Sequence, residues 1–203
     1  MDGDFGMRKF KRVFVQTTGL LLFFTLLCGA GYTALLTGAA QLFFPWQANG
    51  SLLLDNDEVV GSALLGQPFC GNGHLWGRML WDSESFRQSA PDGVWLFDGQ
   101  SAEQSISAPD YPAMLAARAA ILQKRSAQQS AVPADLLTSS ASGLDPDISL
   151  AAAAWQIPRL ARETGKSEAE IEEILAGAAR GRFLGLFGEP RVNVLQVNLQ
   201  LEK

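Results

Sequence analysis

The pattern of apolar and polar positions divides the chain in two. From Val13 to Leu54 no residue is charged, a run of 42 positions. Within it Val13–Leu36 reads VFVQTTGLLLFFTLLCGAGYTALL, longer than the about 20 apolar residues a helix needs to cross the hydrocarbon core. A helix satisfies its own backbone hydrogen bonds where lipid offers none, so the pattern predicts one transmembrane helix at 13–36. Residues 37–50 read as a linker at the outer interface, with Trp46 placed where amphipathic rings accumulate. Thr37-Gly38-Ala39 would pass as a cleavage site, but the apolar stretch exceeds the 7–15 residues typical of a signal peptide, and the span reads as uncleaved. Cys28 follows Leu27 rather than a small residue, so it reads as a helix residue and not a lipidation site. Gly19, Gly29, Gly31 and Gly38 would let another helix approach closely.

Residues 51–203 mix two periods. Val59–Leu65 reads as a strand, Gly66–Gly77 as a glycine-rich loop, Val94–Phe97 as a short strand and Ser101–Pro109 as a loop. Tyr111–Gln129 places Leu115, Ala119 and Leu122 on one helical face, with a polar end from Gln123. A second helix spans Ser149–Thr164, capped by Ser149, stopped by Gly165 and kinked at Pro158. Ser167 and Glu170 form a capping box for a third helix that runs to about Ala179, with Ile171, Ile174, Leu175 and Ala178 inward. Leu195, Val197, Leu199 and Leu201 alternate with polar residues, which predicts a half-buried strand. The expected fold is an α+β extracytoplasmic domain, 51–203, anchored by a single N-terminal transmembrane helix.

Composition narrows the function. Hydrophobic residues make up 47% and charged residues 18%, which excludes a disordered chain. Two cysteines exclude a disulfide framework and a Cys-only zinc site. A net charge of −5 argues against nucleic-acid binding. The charge is also uneven. Arg8, Lys9, Lys11 and Arg12 with Asp2 and Asp4 give residues 1–12 a net +2, and the remainder carries −7. The positive-inside rule then places residues 1–12 in the cytoplasm and the domain outside.

Candidate chemistry is sparse. His74 is the only histidine, so neither a serine triad nor a zinc site assembles around it. Gly165-Lys166-Ser167 lacks the earlier glycine of a phosphate-binding loop, since Leu160 stands there. Asp145-Pro146-Asp147 lacks the sixth-position glycine of a calcium loop, since Leu150 stands there. Glu168, Glu170, Glu172 and Glu173 read as a solvated helix face. No catalytic residue and no metal site is expected. One loop stands out: Gly143 suits a left-handed backbone, Asp145 can accept backbone N–H groups, and Pro146 fixes the exit into the next helix. Gly143-Leu144-Asp145-Pro146 reads as a structural junction, with a partner or nucleotide contact as the rival.

Several long strings carry a resemblance. They are Pro45-Trp46-Gln47-Ala48-Asn49-Gly50-Ser51-Leu52, Gly61-Ser62-Ala63-Leu64-Leu65-Gly66-Gln67, and Gly71-Asn72-Gly73 after Phe69. Further on come Ser140-Ala141-Ser142-Gly143-Leu144-Asp145-Pro146, Ala151–Arg159 with Trp155-Gln156-Ile157-Pro158, and Gly188-Glu189-Pro190-Arg191-Val192-Asn193-Val194-Leu195. Together they resemble the C subunit of the bacterial Kdp potassium-transporting ATPase. The chain departs from the family after Gly77-Arg78, where Met79-Leu80-Trp81 follows, and again over Val94–Gln104. The resemblance implies a non-catalytic accessory subunit, often described as a catalytic chaperone. Its implied partners are a P-type ATPase subunit and a potassium-channel-like subunit in the membrane. It implies no tightly bound cofactor, with ATP reached only through the complex, and it marks Gln156 as a nucleotide contact. That role conflicts with the charge asymmetry, which puts Gln156 outside while ATP is cytoplasmic, and favours a structural role for Gln156. The domain's −7 would instead concentrate cations at a pore mouth. The alternative is a free-standing, membrane-anchored periplasmic binding or assembly module.

Overall fold

The computed structural model describes residues 2–55, 57–67, 69, 71–78, 107–109 and 111–203. The strand expected at 94–97 and most of the loop expected at 101–109 lie outside the described residues. The chain forms two compact units, Met1–Ser51 and Leu52–Lys203.

In the first unit, helix α1 (Asp2–Phe24) widens into a π-helical turn (Thr25–Tyr32) and continues as α2 (Thr33–Phe43). Lys9–Phe43 is a stretch of 35 residues long and apolar enough to cross a membrane. The helix therefore runs past Leu36, through much of the segment read as linker. Nothing between Leu36 and Phe43 breaks a helix. Phe44 does (φ −139°, ψ 53°), because it precedes Pro45 and is driven out of the α region. Pro45 then opens the short helix α3 (Pro45–Ala48), where its missing N–H costs nothing. At 1.5 Å per residue the 35-residue stretch is about 50 Å long, more than the hydrocarbon core alone requires. In the π turn the Thr33 hydroxyl donates to the Cys28 carbonyl at 3.3 Å. Past α3, the Asn49 side chain donates to the Pro45 carbonyl at 2.6 Å and to Gln41 Oε1 at 3.1 Å, fixing the turn that ends the unit.

The second unit mixes helix and sheet, as the two periods require. Strands β1 (Leu52–Asp55) and β2 (Glu58–Ser62) form an antiparallel hairpin. Helices α4 (Tyr111–Ser126) and α5 (Ala134–Leu137) follow. Strand β3 (Asp147–Ser149) leads into α6 (Leu150–Trp155), α7 (Ile157–Thr164) and α8 (Glu168–Ala178). Then come β4 (Ala179–Arg180), β5 (Arg191–Asn193) and α9 (Val194–Leu201). The second sheet is antiparallel in the order β3-β5-β4, so β5 lies at its centre. Leu75, Leu136, Ile148, Leu160, Ile171 and Val192 are fully buried in the core against these elements.

The local signals act as their chemistry requires. The Ser149 hydroxyl accepts from Ala152 N–H and caps α6. Ser167 and Glu170 close a capping box on α8. Pro158 does more than kink: the helix expected over 149–164 is interrupted at Gln156, and α7 restarts with proline in its first turn.

One expectation is overturned. Leu195–Leu201 is not a strand but most of α9. Asn193 caps it by accepting from Gln196 N–H at 3.1 Å. Val194, Val197, Asn198 and Leu201 are buried at helical spacing, whereas Leu199 is only half-buried. The alternation misleads because Asn198, a polar residue, belongs to the buried face. The strand is Arg191–Asn193, immediately before it.

Two glycine substitutions separate backbone geometry from packing. Gly165 ends α7 in the left-handed region (φ 74°), and Gly177 lies inside α8; a Cβ at either position would meet nothing within 4 Å. Gly165→Ala should lower the unfolding free energy by about 1 kcal/mol and Gly177→Ala raise it by about 0.5–1 kcal/mol, as read by thermal melting in detergent.

Candidate functional site

The segment 71–78 is irregular, yet Leu75 and Trp76 are buried within it. Buried backbone groups without partners cost about 1–3 kcal/mol each. Two side-chain amides meet that need. Asn198, on α9, accepts from Leu75 N–H at 2.6 Å and donates to the Leu75 carbonyl at 3.0 Å. Gln156, at the break between α6 and α7, accepts from Trp76 N–H at 2.8 Å and donates to the Trp76 carbonyl at 3.0 Å. Each amide pairs with one residue as a neighbouring strand would.

Gln156 also donates to the Ala152 carbonyl at 3.2 Å and accepts from Arg159 Nη2 at 2.7 Å. It is fully buried, and both its oxygen and its nitrogen are engaged within the chain. Gln156, for which the resemblance implies a nucleotide contact, is thus held inside the domain core.

Arg159 is fully buried as well. Its guanidinium carbon stands 3.4 Å from the centroid of the Trp76 ring, and Nη1 donates to the Asn72 carbonyl. Arg125 lies over the same ring at 4.5 Å and donates to Asn72 Oδ1 at 2.8 Å. The indole N–H donates to the Gly71 carbonyl at 2.9 Å. Burial, reinforced by the nearby Arg125 charge, pulls the Arg159 pKa down to about 9. The group stays cationic at neutral pH, held by a ring face and neutral oxygens. Sequence reasoning did not single out Arg159, Trp76 or Asn198. The one available signal was the spacing of Gln156 and Arg159, three apart across a proline.

The loop at 143–146 sits on neighbouring backbone. Gly143 is left-handed (φ 67°), with its N–H on the Ser140 carbonyl at 3.1 Å. The Leu144 carbonyl accepts from Gly66 N–H at 2.7 Å, and a Cβ on Gly66 would lie 2.8 Å from the Asp145 carbonyl oxygen. Asp145 Oδ1 accepts from Asp147 N–H at 3.0 Å, and Oδ2 faces Arg78 at 3.5 Å. The Pro146 carbonyl accepts from Val194 N–H at 3.0 Å, at the start of α9. The two sites singled out by sequence thus meet one segment, Gln156 at Trp76 and Asp145 at Arg78. His74 pairs with Glu202 at 3.0 Å near the surface. Among the described residues no three His, Cys, Asp or Glu side chains group so as to hold a metal ion.

The family model for the c chain of K+-transporting ATPase, KdpC, matches residues 14–203. Similar proteins named potassium-transporting ATPase KdpC subunit occur in widely separated bacteria. That of Clostridium botulinum (strain Alaska E43) is 38% identical over 199 residues, covering 97% of this chain and 98% of the relative. That of Methylibium petroleiphilum is 44% identical over 187 residues, covering 90% and 93%. That of Escherichia coli (strain SMS-3-5) is 40% identical over 184 residues, again covering 90% and 93%.

The clamps predict a ranked stability series. Gln156→Leu strands both backbone groups of Trp76 and should cost on the order of 3 kcal/mol, Asn198→Leu about 2 and Asp145→Ala about 1, as in lost caps. Thermal melting of the full chain in detergent reads all three. A Gln156→Leu chain that melts like the parent yet disturbs the response to ATP would overturn the structural role of this glutamine.

Proposed function

The chain belongs to the KdpC family and is a subunit of a potassium uptake complex; from that premise we propose that it is the accessory, non-catalytic subunit, which supports assembly and activity of the P-type ATPase subunit. The observation that carries this reading is the burial of Gln156, whose amide is committed to Trp76, Ala152 and Arg159. A side chain so engaged cannot turn outward to a nucleotide without releasing the buried backbone of Trp76. Any gain in the pump's ATP affinity is then transmitted through subunit contacts, and ATP is met only through the complex. The partners are the ATPase subunit and the potassium-channel-like subunit.

The domain 51–203 lies on the extracytoplasmic side of the inner membrane, with residues 1–12 in the cytoplasm. The four basic residues before Val13 and the uncharged run after them support this orientation. In that position the net −7 beyond Val13 raises the local cation concentration at the outer mouth of the pore, within a Debye length of about 8 Å.

Two measurements test the reading. A reporter that works only in the periplasm, fused after Lys203, should be active, and a cytoplasm-only reporter at the same place silent; the reverse result sinks the orientation and the pore-mouth role. In mild detergent the chain should leave the membrane with larger multi-span subunits, and a complex made without it should assemble poorly and respond to ATP more weakly. An unchanged yield and ATP response would remove the accessory role.

A further inference from the structure

The long N-terminal helix ends in a small fold of its own. Phe44 leaves the helical region before Pro45, and α3 follows immediately. Across this break Gln41, near the end of α2, and Asn49, just past α3, form a reciprocal amide pair. Gln41 Nε2 donates to Asn49 Oδ1 at 3.3 Å, and Asn49 Nδ2 donates to Gln41 Oε1 at 3.1 Å. Asn49 Nδ2 also donates to the Pro45 carbonyl at 2.6 Å. The backbone closes in the same way. The N–H groups of Phe44, Ala48, Asn49, Gly50 and Ser51 donate to the carbonyls of Ala40, Phe44, Pro45, Gln47 and Trp46, respectively. Gly50 and Ser51 are left-handed, at φ 90° and 50°, and Ser51 N–H thereby returns to the Trp46 carbonyl. Residues that read as a linker in the sequence are thus a folded collar. Around it Leu42, Phe43, Phe44 and Trp46 are 75%, 69%, 60% and 47% exposed, within a run that carries no charge from Val13 to Leu54.

We propose that the Gln41–Asn49 pair is a latch that keeps residues 44–51 folded within the headgroup layer at the far end of the span, so that the chain leaves the membrane at Ser51 and not at the end of α2. Three observations select the bilayer. The first is continuity. The collar follows directly on α2, which belongs to the stretch Lys9–Phe43, long and apolar enough to cross a membrane. The second is length. At 1.5 Å per residue the helix from Val13 to Phe43 is about 46 Å long, against about 40–45 Å for a bilayer with its headgroups. A helix that starts from the basic residues 8–12 therefore reaches the far headgroups as it ends. The third is polarity. An exposed amide pair gains little in water, because each amide can exchange it for bonds to solvent. Where water is scarce, the same pair and the closed backbone spare the collar unsatisfied polar groups. Trp46 and the exposed Gln47 then supply an amphipathic ring and an amide at headgroup level. The latch works alike on either side of the membrane, so it and the proposed function can fail separately.

The test uses the full chain, with Cys28→Ala and Cys70→Ala, in vesicles of phosphatidylethanolamine and phosphatidylglycerol. Gln47→Cys and Ala48→Cys each carry an environment-sensitive fluorophore, and lipids with nitroxides at the headgroup or high on the acyl chain serve as quenchers. Glu172→Cys, on the exposed face of α8, is the control. Quenching at both collar positions several-fold above the control is the expected result. Gln41→Ala should then lower that quenching at least twofold. In an Asn49→Ala chain, where the pair is already lost, Gln41→Ala should lower it no further. Quenching no greater than at Glu172 overturns the membrane position of the collar, as does quenching that needs the other subunits of the complex. Quenching that Gln41→Ala leaves unchanged, or that it lowers equally with and without Asn49, overturns the latch.

Discussion

The domain depends on one requirement: the backbone of Leu75 and Trp76 must be hydrogen-bonded although no strand among the described residues lies beside it. Asn198 and Gln156 meet that requirement from two different helices. The break between α6 and α7 is the consequence on one side, because Gln156 must face Trp76 where Pro158 already interrupts the ladder of helical bonds. The burial of a polar position on α9 is the consequence on the other. Arg159 follows from the first, since its guanidinium shares the Gln156 oxygen and lies on the indole that the clamp has fixed. An irregular segment is thereby made as well determined as a strand.

Features written in local chemistry were legible in the sequence. The uncharged run before Leu54, the Ser149 cap, the Ser167–Glu170 box and the glycine stop at 165 each act over a few residues, and each has a direct physical reading. The helix past Leu36 was underestimated because the expected end rested on the length a bilayer needs. The chain ends it at Phe44, where the following proline imposes a stop. The strand assigned to 195–201 failed because periodicity counts polarity, and Asn198 is a polar residue whose partner lies far away in sequence. The loop at 143–146 was readable at Gly143 and Asp145, where turn chemistry is local. Its contact with Gly66 was not, since nothing in either string announces a close approach of two backbones. Trp76 and Arg159 escaped for the same reason.

The two units follow different rules. In the span every backbone group is satisfied within its own helix, so apolar length and the first proline set its extent. In the domain the buried backbone finds partners among side chains, so single amides carry the weight that a strand would otherwise carry.

The clamp also sets an order of events during biosynthesis. Trp76 waits for an amide 80 residues downstream and Leu75 for one 123 residues downstream, on α9. Contacts of such separation form late, because the loop must close before they repay it. The core around Trp76 therefore stays open until α9 has been made. The interval during which the emerging domain is exposed to proteases and to mispairing is therefore set by the last turn of α9 and not by the earlier helices.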